Sequence, residues 1–169
     1  NNNVGSLVGS ADDVYIVNCS NAGTVEGESK VGGIAGINNG SLRGGITIGC
    51  SNTGTITSTT FAGGIVGSEN SNIANCFNAG AVSATAVDGQ AGGIISSRSP
   101  GVDHELVNCY NVGPVSAATA GAITSTSNGS IYNCFYNTET STPAGPSLLP
   151  GLVAAVTFPV RSRVSQPMS

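Results

Sequence analysis

The sequence predicts an all-β fold, a parallel β-helix (β-solenoid) of about five coils with three short strands per coil, and three observations carry that expectation. One phrase returns five times: Asn18-Cys19-Ser20-Asn21, Gly49-Cys50-Ser51-Asn52, Asn75-Cys76-Phe77-Asn78, Asn108-Cys109-Tyr110-Asn111 and Asn133-Cys134-Phe135-Tyr136-Asn137. All five cysteines of the 169-residue chain hold one position of that phrase, so they read as a column of a repeat architecture and not as five separate chemical sites. Composition is the third observation: 39% of residues are hydrophobic and 25 are Gly, against only five Lys and Arg and nine Asp and Glu. Such low charge with few aromatics would read as disorder, but the apolar residues are strictly placed, which makes a repetitive β fold the better class.

Each strand follows from a recurring segment. The first is a glycine pair followed by an aliphatic: Gly5-Ser6-Leu7-Val8-Gly9, Gly32-Gly33-Ile34-Ala35-Gly36, Gly63-Gly64-Ile65-Val66-Gly67, Gly92-Gly93-Ile94-Ile95 and the weaker Gly121-Ala122-Ile123. The second places an aliphatic three residues before each Cys, at Ile16, Ile73, Leu106 and Ile131; Thr47 breaks the rule, with Ile46 and Ile48 beside it. The third is Gly-x-Val or Gly-x-Ile, from Gly23 to Val25, Gly54 to Ile56, Gly80 to Val82 and Gly113 to Val115. Successive cysteines are 31, 26, 33 and 25 residues apart, and the variation lies between the segments, as a solenoid tolerates at its corners.

Stacked at roughly 4.8 Å per coil, these strands would build three parallel sheets about 24 Å tall around a narrow core. One inward wall is expected to hold Leu7, Ile34, Ile65, Ile94 and Ile123, the second the cysteines with their preceding aliphatics, the third Val25, Ile56, Val82 and Val115. The spacing of three between Ile73 and Cys76 is not alternation and calls for a bend or bulge. Asn21, Asn52, Asn78 and Asn111, two residues after Cys, suit a corner ladder of stacked amides, and the glycines suit tight bends. Parallel crossovers prefer the right hand, which is the hand expected here.

The repeat occupies residues 1–137. Residues 138–169 hold five of the seven prolines and no repeat phrase, so they read as a C-terminal cap or a disordered tail; Leu148, Leu149, Leu152, Val153, Val156 and Phe158 could cover the last coil. A start at Asn1 without Met suggests a piece of a longer precursor, whose export signal would lie outside it.

Charge excludes some function classes. Five scattered cations cannot line a phosphate-tracking groove, so nucleic acid is not an expected partner. No apolar run reaches a membrane span, since Pro150 and Gly151 interrupt Leu148 to Phe158, so membrane insertion is not expected.

The phrases, as in Gly63-Gly64-Ile65-Val66-Gly67 followed by Ile73-Ala74-Asn75-Cys76-Phe77-Asn78-Ala79-Gly80-Ala81-Val82, resemble the GLUG repeat of bacterial surface and secreted proteins over residues 4 to about 141. Gly49 in place of Asn, the degraded glycines of the last copy and the tail depart from the pattern. The resemblance implies an extracellular or bacterial cell-surface location, in adhesin-like chains and in immunoglobulin-A-specific metallopeptidases whose catalytic region lies elsewhere. No His-Glu-x-x-His stretch exists here, because the chain has one His.

Candidate sites follow. The column Cys19, Cys50, Cys76, Cys109 and Cys134 reads as buried thiols: parallel neighbours about 4.8 Å apart do not match disulfide geometry, and no clustered His accompanies them to hold a metal. No cofactor is implied. Phe77, Tyr110 and Phe135 follow Ser20 and Ser51 in one column and would either stack outward, as a surface for host glycan or protein, or shield a wall beneath a loop. Arg98, Asp103, His104 and Glu105 form the only charged cluster, in the Ser96 to Glu105 loop. A catalytic reading makes His104 a base oriented by Asp103 or Glu105 with Arg98 holding an anion; a solvated loop gathers the same charges. An ice-binding Thr ladder fails, since the equivalents of Thr55 and Thr57 are Thr24 and Glu26, Ala81 and Ser83, and Pro114 and Ser116. The expected function is therefore a non-catalytic structural or adhesive module. The alternatives are a carbohydrate-active enzyme with its site at the Ser96 to Glu105 loop and a fibre subunit that self-associates end to end through its coil ends.

Overall fold

The computed structural model describes residues 2–40, 45–98, 104–126, 129–140 and 153–156. Among them every regular element is a strand, and every strand pairing is parallel, in five sheets that run along the axis of a β-solenoid. The first coil contributes one strand to each sheet: β1 (Asn3–Gly5) to sheet A, β2 (Val8–Asp12) to B, β3 (Tyr15–Val17) to C, β4 (Ser20–Asn21) to D and β5 (Val25–Gly27) to E. Three further complete coils follow. A fifth adds Thr119–Gly121, a single bridge between Ile95 and Thr124, Ser130–Tyr132 and Cys134–Asn137.

Five short strands per coil replace the three expected, because two of the three segments are folded at their middle. In the second segment the residue before each Cys has a left-handed backbone, with φ near +50° at Asn18, Asn75, Asn108 and Asn133 and +66° at Gly49. That residue turns the chain from sheet C into sheet D, so the aliphatic and the Cys both face inward from different sheets. The spacing of three is the signature of this bend. Asn tolerates the left-handed region better than other side-chain-bearing residues, and Gly adopts it freely, so Gly49 meets the same requirement by another route.

The glycine pair makes the other fold. Val31, before the pair, packs with Val25, Ile56, Ala62, Val82, Ala91 and Val115; Ile34, after it, packs with Ile65, Ile94, Ile73, Leu106 and the cysteines. The interior is thus two apolar lobes side by side, not the single narrow core expected. A column the sequence reading missed, Val4, Val31, Ala62, Ala91 and Ala120, faces the Val25 column inside the smaller lobe.

Two expected columns need correction. Leu7 sits in register with Ile34 but is 49% exposed on the outermost described coil, and Val8 packs on the core there instead. Thr47 does not break its column: it pairs with Ile16 on one side and Ile73 on the other and is fully buried, its hydroxyl accepting a 3.2 Å hydrogen bond from Asn38 Nδ2.

Sheets C, D and E share one series of repeat spacings and sheets A and B another, so length differences fall at two corners only, B to C and E to A. Those corners carry the variable loops. Past the fifth coil, the strand Val153–Val156 pairs with Cys134–Asn137 and extends sheet D by one rung; 141–152 and 157–169 lie outside the described residues.

Candidate functional site

Asparagine amides divide the two lobes. Asn21 Nδ2 donates to Asn52 Oδ1, Asn52 to Asn78 and Asn78 to Asn111, each at 2.8 Å. The second Nδ2 proton of each goes to the carbonyl of the glycine two residues on, and that glycine's N–H returns to Oδ1, as in Gly80 N to Asn78 Oδ1 at 3.2 Å. Asn52 and Asn78 therefore use both donors and both acceptor positions of a carboxamide while fully buried. Opposite the ladder run Gly33, Gly64 and Gly93: a methyl group at Gly64 would lie 2.6 Å from Asn78 Cγ, and one at Gly33 2.7 Å from Asn52 Cγ. The glycine pairs and the asparagines are thus two sides of one waist, absent side chains on one wall making room for amides on the other. In the fifth coil Tyr136 takes the register of Asn111, and Asn137, displaced by one residue, accepts from Glu139 N instead.

The cysteines form the single file expected, all five free. Cys50, Cys76, Cys109 and Cys134 are buried, while Cys19 is partly exposed on the first coil. Their Sγ atoms lie within donor reach of backbone carbonyls, Cys76 of Ala74 O at 3.2 Å and of Thr47 O at 3.6 Å. The four buried thiols bear on one another through hydrogen bonds. Hydrogen bonding with Cys134 and Cys76, then burial, pushes the Cys109 thiol far up, and hydrogen bonding with Cys76, then burial, does the same to Cys50. Donation from Cys109 and Cys50 lowers Cys76, and donation from Cys109 lowers Cys134. In the packing these side chains serve as small, weakly hydrogen-bonding groups.

Arg98, the cation of the charged cluster, is turned into the scaffold. Arg98 is 5% exposed, and its Nη1 and Nη2 donate to the backbone carbonyls of His104 at 2.9 Å and Glu105 at 3.2 Å. Gly129 packs against the same guanidinium. Arg98 thus binds the base of its own loop to the next one. His104 is partly exposed, Glu105 is exposed, and Asp103 lies outside the described residues. Register places Ala11, Asn38, Glu69 and Arg98 in one column at the loop-bearing corner, and Asn38 acts as Arg98 does, donating to Val14 O at 3.2 Å. These two loop anchors were not read from the sequence; their signal was a polar residue at one fixed distance after the glycine pair.

On the outside of sheet D, Ser20, Ser51, Phe77, Tyr110 and Phe135 are in register. The Phe77 and Tyr110 rings stack with centroids 5.6 Å apart and planes 19° from parallel, both partly buried, and Phe135 is 38% exposed. Beside them the outer positions of sheet C carry Val17, Ile48, Ala74, Val107 and Tyr132 in one column, giving a broad outward face with little charge. No family model, curated protein or solved structure matches the chain.

Proposed function

We propose that this chain is a non-catalytic structural and adhesive repeat module of an exported bacterial surface protein, a rigid stalk that presents its aromatic column and corner loops to a host protein or glycan. One observation carries the reading: Arg98, the cation of the charged cluster, is buried and donates to the carbonyls at the base of its own loop. The GLUG resemblance supports the surface location. Free thiols suit an exported protein when, as here, four of the five lie inside a closed file. Phe77 and Tyr110 cover each other's facing rings, so sugar stacking would fall to Phe135 and the open side of Phe77, and a protein partner uses the face more fully.

The test exchanges the three aromatics for Ser, the residue already present at this register in the first two coils. The wild-type chain and the Phe77→Ser/Tyr110→Ser/Phe135→Ser variant are screened against host extracellular-matrix proteins and a glycan array. Binding by the wild type that falls about tenfold or more in the variant, with the unfolding midpoint nearly unchanged, is the expected result. Absence of wild-type binding, or equal binding by the variant, rejects the adhesive role of this face; glycan cleavage by the wild type would support the enzyme alternative instead.

A further inference from the structure

All five cysteine sulfurs stand at the same place in their coils. Cys19 Sγ lies 3.3 Å from Val17 O, Cys50 Sγ 3.5 Å from Ile48 O, Cys76 Sγ 3.2 Å from Ala74 O, Cys109 Sγ 3.3 Å from Val107 O and Cys134 Sγ 3.4 Å from Tyr132 O. Cys50, Cys76 and Cys134 also reach the matching carbonyl one coil earlier, at Ile16, Thr47 and Leu106. Because the placement recurs, successive sulfurs repeat at the rung spacing of about 4.8 Å. That is far beyond the roughly 2.05 Å of a disulfide bond. It is close to twice a metal–sulfur bond of about 2.3 Å, so an ion seated midway between two rungs meets both sulfurs in line.

A soft cation such as Cu(I) accepts two thiolates in line and needs no third ligand, whereas zinc takes four ligands and would require His or further Cys at one level. Cys50, Cys76, Cys109 and Cys134 are buried among Ile73, Leu106 and their neighbours, where water does not compete for an ion. Hydrogen bonding with Cys109 and Cys50 lowers the Cys76 thiol, and hydrogen bonding with Cys109 lowers that of Cys134. Neighbouring sulfurs thus already share protons along the line an ion would take. We propose that adjacent cysteines of the file form two-coordinate sites for Cu(I), Cys50 with Cys76 and Cys109 with Cys134, each ion held between two coils. Each ion breaks two S–H bonds, releases both protons to solvent and forms two Cu–S bonds; the copper stays Cu(I) and no electron moves. Arg98 places a positive charge within electrostatic reach of Cys134, which offsets the negative charge of that bis-thiolate unit. The sites lie inside the larger lobe and are independent of any role for the outer face.

The reduced full chain is equilibrated under argon with Cu(I) in competition with a Cu(I) chelator, the metal per chain is counted by native mass spectrometry, and X-ray absorption gives the ligand set. Two ions per chain are expected, each with two sulfur ligands. Two variants that keep three of the five cysteines separate pairing from thiol content. Cys19→Ala/Cys50→Ala leaves Cys76, Cys109 and Cys134 as neighbours and is expected to hold one ion. Cys50→Ala/Cys109→Ala leaves Cys19, Cys76 and Cys134 with a rung between each and is expected to hold none. No uptake by the wild type, equal uptake by the two variants, or three or four sulfurs around each ion overturns the sites. If circular dichroism shows that a variant does not fold, the count and the ligand set of the wild type decide alone.

Discussion

Gly93 shows how strictly single residues are fixed. A methyl group there would run into Ala122 O and the Asn111 amide, both part of the stacked backbone or ladder, so neither can yield without parting two coils. Gly23 lies in the same repeat, yet a methyl group there would meet only Asn21 Oδ1, at an ordinary 3.7 Å. Gly93→Ala is expected to cost about 3 kcal/mol or more and Gly23→Ala less than about 0.5 kcal/mol, measured by urea unfolding. Equal effects at the two sites would mean that the waist is not close-packed. The Asn positions and the glycine pairs were both legible in the sequence as repeats, but not their contact with each other: they lie far apart in the chain, and periodicity reports which residues recur, not which ones meet across a coil.

At the scale of strands, the bend before each Cys decided how much could be read. The Ile-to-Cys spacing announced a turn, and the structure places a left-handed residue there; the glycine pair gave no such warning, and the division into two lobes was missed with it. Thr47 was misread because a polar residue in an apolar column looks like a failure until its partner, Asn38, is found on another sheet. Arg98 was assigned to the right loop, but its direction is a tertiary fact, set by carbonyls that need donors at the corner. Losing those bonds should loosen the corner without melting the coil. Arg98→Ala is expected to speed amide exchange in Glu105–Val107 about tenfold or more while Ile56–Ser58 is unchanged. Uniform acceleration would mean that Arg98 holds the whole coil and not its loop.

For the whole molecule, stability is a sum over coils and the interfaces between them, so the same change should cost more inside the stack than at its edge. Sequence alone sufficed for the stacking of like on like, since five copies of one phrase leave little else to pair; the outward face needed register and exposure, which no repeat count supplies. The most direct check compares Asn78→Ala with Asn21→Ala by urea unfolding. Asn78 lies fully buried with amide neighbours on both sides, Asn21 at the edge with one. Removing Asn78 leaves buried partners on Asn52, Asn111 and Gly80 unmet, and is expected to cost about 3 kcal/mol or more, against about 1 kcal/mol for Asn21. Two small and equal losses would contradict an amide ladder at the centre of this fold.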